Sequence, residues 1–320
     1  MAFVRVSNLK KTYGDVTAVD DISFDIQKGE IFGFLGPNGA GKTSTVNMMI
    51  GLSRPTAGDV VIDGIDVRRK PKQAQAIMGI VADESNLYKD MDGFENLCFC
   101  AALYGMRKEE RELRARQLLE QFRLKEAGRR PFKAYSKGMR RKLTIAAALI
   151  HSPRILFLDE PTTGIDVESS RQIREMIVKL KEQGTTVFLT THHIEEAERI
   201  CDRIAFIAKG QIVASGTVAE LMQRISLDRA IHFVTGIQDD EFAFELQKNF
   251  EGSQVERKSD HSLVMRLQER LELFPVMEFF HHHGVAVYEA KELRPSLEDV
   301  FVRLTGIESS ILKKEKGGGK

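Results

Sequence analysis

The stretch that decides the reading of this chain is Gly36-Pro37-Asn38-Gly39-Ala40-Gly41-Lys42-Thr43-Ser44. It fits G-x-x-x-x-G-K-[ST], a glycine-rich loop whose backbone amides cradle a polyphosphate. Before it, Ile31-Phe32-Gly33-Phe34-Leu35 is a short apolar run of the kind a buried strand shows, and after it Thr43 to Ile50 reads as a helix. Glycines let successive N–H groups turn toward one anion with no Cβ in the way. The helix beginning near Gly41 adds its unpaired N–H groups and the positive end of its dipole. In that setting Lys42 neutralises the β- and γ-phosphates and the Thr43 hydroxyl ligates Mg²⁺. A chance glycine turn does not account for motif and context together, so the stretch implies a nucleoside triphosphate site.

Working outward, Phe3 to Ser7 and Asp20 to Ile26 alternate apolar and polar residues as half-buried strands do, with Ile22, Phe24 and Ile26 on one face. Tyr13 sits between them, either as an aromatic that stacks on the nucleotide base or as a core or edge tyrosine. Gly58 to Ile62 and Ile77 to Val81 read as further short strands. From Phe94 to Phe122 the period becomes helical, which places two inserted helices there, and Glu109 to Arg114 is their solvated face. Ser136 is an N-cap, with Lys137 and Gly138, for a helix running to about Ile150, and its N-terminus is a second anion site.

Ile155-Leu156-Phe157-Leu158-Asp159-Glu160 is an apolar strand ending in two carboxylates, which suits the ligand edge of an open α/β sheet. There Asp159 holds Mg²⁺, directly or through water, and Glu160 orients or deprotonates the attacking water. Thr185 to Leu189 is one more strand and delivers His192 to the same edge, within reach of the γ-phosphate.

The 320 residues allow two domains, and the formal net charge of +1 gives no overall argument for nucleic acid as a partner. The three cysteines Cys98, Cys100 and Cys201 fit neither C-x-x-C nor a zinc pattern and read as reduced thiols. No signal peptide is expected, and no run is long and apolar enough to span a bilayer.

With Ser136-Lys137-Gly138 shortly before the Asp159-Glu160 strand, the chain resembles the ATP-binding cassette of ABC transporters over essentially its whole length. The resemblance makes Gly36 to Ser44 the Walker A loop, Leu156 to Glu160 the Walker B strand, Tyr13 the adenine-stacking aromatic and His192 the switch histidine. Gly164-Ile165-Asp166 resembles the D-loop, which meets a partner cassette. It implies an α/β fold, with a mostly parallel sheet core, an N-terminal antiparallel β subdomain and an inserted helical subdomain at about 85–150, all within residues 1–225. It further implies that ATP and Mg²⁺ are the cofactors and that two subunits, most simply a homodimer, sandwich ATP head to tail. The P-loop of each then faces Ser136 and Gly138 of the other. A separate transmembrane permease is the other partner, which places the chain at the cytoplasmic face of the membrane.

Two positions depart from the family pattern. Lys137 replaces a glycine of the signature, as in drug-exporter cassettes, and keeps only its backbone N–H for an anion. Asp83 stands where the family usually has Gln; it can accept Mg²⁺ or its waters but cannot donate as Gln does.

Beyond residue 226, strand-like runs (Ala230 to Val234, Ser262 to Leu267, Val285 to Tyr288) alternate with helix-like ones (Glu241 to Phe250, Leu271 to Phe280). A small α+β domain over 226–308, ferredoxin-like in pattern, is the expectation, followed by a disordered Lys/Gly-rich tail at 309–320. Pro295 to Phe301 resembles the tail of daunorubicin-resistance-type exporter ATPases. His281-His282-His283 points three ways around a helix and is not read as a metal site. The function implied is ATP hydrolysis that powers export of a drug, lipid or other small molecule. The alternative is a soluble ABC-type ATPase acting on ribosomes or DNA, though those relatives carry two cassettes or a long coiled coil.

Overall fold

The structure, a computed structural model, describes residues 2–83, 87–223, 229–236, 238–267, 272–293 and 296–307. The chain forms two compact units, residues 1–218 and residues 219–306. The boundary expected at 225/226 and the tail expected at 309–320 lie outside the described residues.

In the first unit β1 (Val4–Tyr13) and β2 (Val16–Ile26) form a hairpin, and β3 (Ile31–Leu35) runs through the glycine-rich loop into α1 (Lys42–Met49). β4 (Ala57–Ile62), β5 (Ile65–Asp66) and α2 (Pro71–Gln75) lead to β6 (Met78–Val81). The inserted helices are α3 (Gly93–Leu103) and α4 (Lys108–Gln121), followed by α5 (Lys137–Ala148). Then come β7 (Ile155–Asp159), α6 (Val167–Glu182), β8 (Thr186–Thr191), α7 (Ile194–Ile200), β9 (Arg203–Ala208) and β10 (Gln211–Thr217), and α8 (Val218–Gln223) opens the second unit. Tyr13 proves to be the last residue of β1, paired with Val16, so it belongs to the hairpin rather than to a connection between separate strands.

Two sheets result. One is antiparallel, in the order β2-β1-β4-β5; the other runs β10-β9-β3-β8-β7-β6, with all neighbours parallel except β10 on β9. Every residue of β3, β7 and β8 is buried, as expected of parallel strands covered on both faces. An aromatic stack joins the sheets: Phe24 of β2 lies 5.4 Å from Phe32 and 5.6 Å from Phe34, and Phe188 of β8 reaches Phe24, Phe32, Phe34 and Phe157. Phe188 is fully buried at the centre of this cluster.

In the second unit β11 (Arg229–Thr235), α9 (Asp240–Asn249), β12 (Ser253–Ser259), β13 (Ser262–Leu267), α10 (Leu273–His282) and β14 (Val287–Leu293) precede α11 (Leu297–Thr305). The sheet order β12-β13-β11-β14, antiparallel throughout, is the ferredoxin-like β-α-β-β-α-β arrangement. Its core is Ile231, Phe233, Leu263 and Met265 of the sheet against Phe242, Leu246, Val276 and Phe280 of the helices. The pattern missed β12, whose Ser253-Gln254-Val255-Glu256-Arg257-Lys258-Ser259 holds a single apolar residue because the strand lies at a sheet edge. It also missed α11, although Ser296 and Asp299 form a capping box. His281 and His282 end α10, and His283 Nδ1 donates to the Phe279 carbonyl (2.8 Å) beside Glu245.

Phe188→Ala should cost about 3–5 kcal/mol, the range for removing a buried aromatic. Denaturant unfolding of the full chain checks this, and a loss below about 1 kcal/mol would mean that the stack does not hold the two sheets together.

Candidate active site

Parallel pairing sets the site. Leu35 pairs with Thr191, Asp159 with Thr190, and Val81 with Leu158, so β3, β8, β7 and β6 end together. Their C-terminal edge therefore carries the glycine-rich loop, His192, Asp159-Glu160 and Asp83. Tight packing fixes the loop: a Cβ on Gly36 would fall 2.2 Å from the Ile207 carbonyl oxygen of β9. Gly41, at φ 107°, caps α1 in a left-handed conformation.

A cavity of about 390 Å³ opens at this edge, lined by Tyr13, Ala18, residues of the loop from Pro37 to Ser44, Asp83, Asp159 and Glu160. The buried Lys42 ammonium donates to the carbonyls of Gly36 (2.7 Å) and Pro37 (3.3 Å) and stands 3.4 Å from Glu160 Oε1. Glu160 Oε2 takes bonds from Thr163 Oγ1 and His192 Nδ1, each at 3.0 Å, whereas its Oε1 is buried without a hydrogen bond. Thr190 Oγ1 donates to Asp159 Oδ1, and Thr43 Oγ1 lies 3.5 Å from Asp159 Oδ2.

The two carboxyls are pushed apart electrostatically. Burial raises Glu160, but the His192 hydrogen bond and the Lys42 charge outweigh it and hold the carboxyl below the usual glutamate range. Burial raises Asp159 too, the Thr190 bond offsets only part of this, and the charges of Glu160 and Asp83 push the same way. Backbone geometry at Glu160 is also special, with φ 48°, held by its N–H on the Thr190 carbonyl (3.2 Å).

An ABC transporter family model matches residues 19–163. The linearmycin resistance ATP-binding protein of Bacillus subtilis (strain 168) is 35% identical over 95% of this chain and 98% of its own length. The chain belongs to the ABC transporter ATPases. The daunorubicin resistance ATP-binding protein DrrA2 of Streptomyces coeruleorubidus is 34% identical, with 95% of each chain covered. Among solved structures, an ATP-binding subunit of an ABC transporter aligns with a TM-score of 0.64 at 29% identity, over 69% of this chain and 92% of that one. A dimeric cassette in a post-hydrolysis state with ADP and Pi aligns with 0.62 at 28%, over 67% and 98%. This ABC subunit is thus an ATP hydrolase of the drug-resistance branch, and the ribosome or DNA alternative falls away.

The expected site residues of the ABC cassette fall into two groups. Tyr13, the loop, Asp83, Asp159 and Glu160 surround the cavity, with His192 bonded behind Glu160. Ser136, Lys137, Gly138 and Asp166 are not among the residues that line it; Gly138 lies against Asp166 and Ser169, and the Lys137 ammonium against Gly164. Ser136 Oγ caps α5 on the Met139 N–H (3.2 Å), Asp166 caps α6 on the Ser169 N–H (2.9 Å), and a Cβ on Gly138 would meet Ser169 Oγ at 2.4 Å.

Sequence reading missed Arg141. Although only 7% exposed, its guanidinium reaches the carbonyls of Ala82 (2.7 Å) and Asp83 (2.6 Å) and lies 3.4 Å from Asp83 Oδ1. It ties the helix that begins at the signature to the segment that carries Asp83 into the cavity. Its run of neighbours, Arg140-Arg141-Lys142, hid it, because sequence alone gives no sign that Arg141 and Lys142 are buried while Arg140 is exposed.

Arg141→Met should cost about 1–3 kcal/mol of stability through the unpaired carbonyls, and should lower ATP turnover more than Arg140→Met does. Unfolding and phosphate-release assays on both variants measure this; equal turnover in the two would remove Arg141 from the site. A second expectation concerns pH. Because the folded Glu160 carboxyl lies below its unfolded value, its stabilisation is full above the usual glutamate range and is lost as pH falls through the lowered value. The stability difference between wild type and Glu160→Gln should therefore shift against wild type on acidification, as read from denaturant midpoints across the carboxylate range.

Proposed function

We propose that this ATPase powers export of a small molecule or lipid through a separate transmembrane permease, at the cytoplasmic face of the membrane. The reading is supported by the relatives matched along nearly the whole chain, which are named for linearmycin and daunorubicin resistance and for Nod factor export. Among the described residues no helix is long and apolar enough to cross a membrane, so a permease supplies the passage. The inserted helices α3 and α4 supply its docking surface. Two copies pair head to tail on ATP; that a cassette aligning with this chain is dimeric, with ADP and Pi bound, supports pairing. Ser136, Lys137 and Gly138 of one copy close on the triphosphate held by the other, and Asp166 lies at the contact between them.

Within each copy, the loop amides from Gly36 to Ser44 and the Lys42 ammonium bind the β- and γ-phosphates, and Tyr13 stacks on the base. Thr43, Asp159 and Asp83 are the residues that would hold Mg²⁺, which when bound neutralises charge between the phosphates. The Thr43 hydroxyl and the Asp159 carboxyl, 3.5 Å apart, suit a hard cation with oxygen ligands. The observation that carries the reaction is Glu160 Oε1: buried, without a hydrogen bond, and 3.4 Å from Lys42 Nζ. An ionised carboxylate so placed accepts a proton from water as the water oxygen bonds to the γ-phosphorus and the bridging oxygen leaves with ADP. His192 donates Nδ1–H to Glu160 and, in the protonated ring, has Nε2–H for a γ-phosphate oxygen.

Glu160→Gln should reduce ATP turnover by about 10²–10⁴-fold, the range for losing a general base, and should retain unhydrolysed ATP through gel filtration, because the nucleotide is closed between two cassettes. Undiminished turnover in this variant would exclude Glu160 as the base, and ATP lost as fast as from a variant that cannot pair through Ser136 and Gly138 would exclude the head-to-tail cycle.

A further inference from the structure

We propose that β14 of the second unit is a self-association edge, pairing antiparallel with β14 of a second copy of this chain about a two-fold axis at Ala290. β14 lies at one end of the sheet, hydrogen-bonded to β11 on one side. Its other edge presents the row of backbone N–H and C=O groups that makes an edge strand a template for another strand. Tyr288 to Leu293 are all exposed, Tyr288 to 73%.

Charge selects both the occupant and the register. About a two-fold at Ala290, residue 289 of one copy opposes residue 291 of the other. Glu289 then faces the partner's Lys291, and Lys291 faces the partner's Glu289. Both belong to the face that opposes Val234 and His232 in the sheet, so the pleat agrees. The small Ala290 meets its own copy at the axis. An axis at Glu289 or at Lys291 would instead put like charges on each other. A slip of one residue would oppose Glu289 to Glu292 and reverse the pleat. One register of the strand against itself is therefore favoured by two opposite-charge pairs, and its neighbours are penalised.

The other edge strand of this sheet shows the contrast. On β12, Arg257 pairs with Asp240 (2.8 Å) and Asp260 (3.3 Å), and Lys258 pairs with Glu256, so its charges are engaged within the chain. Glu289 and Lys291 are in no ion pair among the described residues, although they stand on the same face two residues apart. Like charges along an edge repel a second copy, whereas alternating signs about a small residue are self-complementary.

The product is an eight-stranded sheet shared by two copies, held without nucleotide. Cassette pairing on ATP then becomes an event between tethered partners, governed by effective concentration rather than by bulk encounter.

The test is the molar mass of the full chain by light scattering with no nucleotide present, which keeps it separate from the ATP-driven pairing proposed above. Wild type should be dimeric. Glu289→Lys and Lys291→Glu each convert two attractive pairs into repulsive ones and should each raise the dissociation constant about tenfold or more. The double variant exchanges the charges and should restore the wild-type value, while circular dichroism stays unchanged because both positions are exposed. Ala290→Cys should give a disulfide-linked dimer under oxidation that wild type, with its three native cysteines, does not. A monomeric wild type, a double variant as weak as the single ones, or a dimer indifferent to all four changes would each overturn the proposal.

Discussion

The site depends on one carboxylate held between two cations or would-be cations from different strands. Glu160, at the end of β7, meets Lys42 from the loop after β3 and His192 from the end of β8. Those three strands are adjacent in the sheet order, so the contact exists only while the parallel register is kept. A left-handed φ of 48° at a non-glycine residue costs about 1–3 kcal/mol and persists only where its surroundings over-determine it. Here they do, through the Thr190 carbonyl and hydroxyl on the Glu160 N–H. Behind the strand ends, the aromatic stack around Phe188 fixes the spacing of β3, β7 and β8 and clamps them to the antiparallel sheet.

Charge balance explains why the edge is poised rather than collapsed. Asp83, Asp159 and Glu160 face one cavity, and their mutual repulsion is opposed by Lys42 within it and by Arg141 behind it. Both cations are also bonded to backbone carbonyls, Lys42 to Gly36 and Pro37, Arg141 to Ala82 and Asp83. In the proposed complex Lys42 would exchange those carbonyls for phosphate oxygens, and charge-assisted bonds to an anion are the stronger ones.

Most of the parallel core was legible because its strands are continuous apolar runs that end in chemistry, as Leu156 to Glu160 shows. The loop was legible because its glycines answer to a local backbone demand. What escaped the pattern did so for tertiary reasons. β12 is polar because an edge strand on a one-sided sheet buries only alternate positions, and Val255 alone marks it. Arg141 looks like any basic residue of an exposed run until the helix turns it onto Asp83. Tyr13 was placed beside the site, but its pairing with Val16 depends on a hairpin around Gly14 that alternation alone does not bound.

The signature departure at Lys137 shows how such a substitution is absorbed. Lys137 is the first residue of α5, where backbone angles are ordinary for any side chain, so the Cβ itself brings no strain. The long side chain then needs somewhere to go. Its ammonium lies where a Cβ on Gly164 would be, 2.2 Å from that position, and Gly164 (φ 67°) has none. A glycine that the D-loop turn already requires for its backbone thus makes room for the lysine that replaces a glycine in the signature. Because the side chain folds onto its own chain, the Lys137 N–H stays at the open end of α5 beside the Ser136 cap. The cassette can therefore carry a lysine at this position without backbone strain.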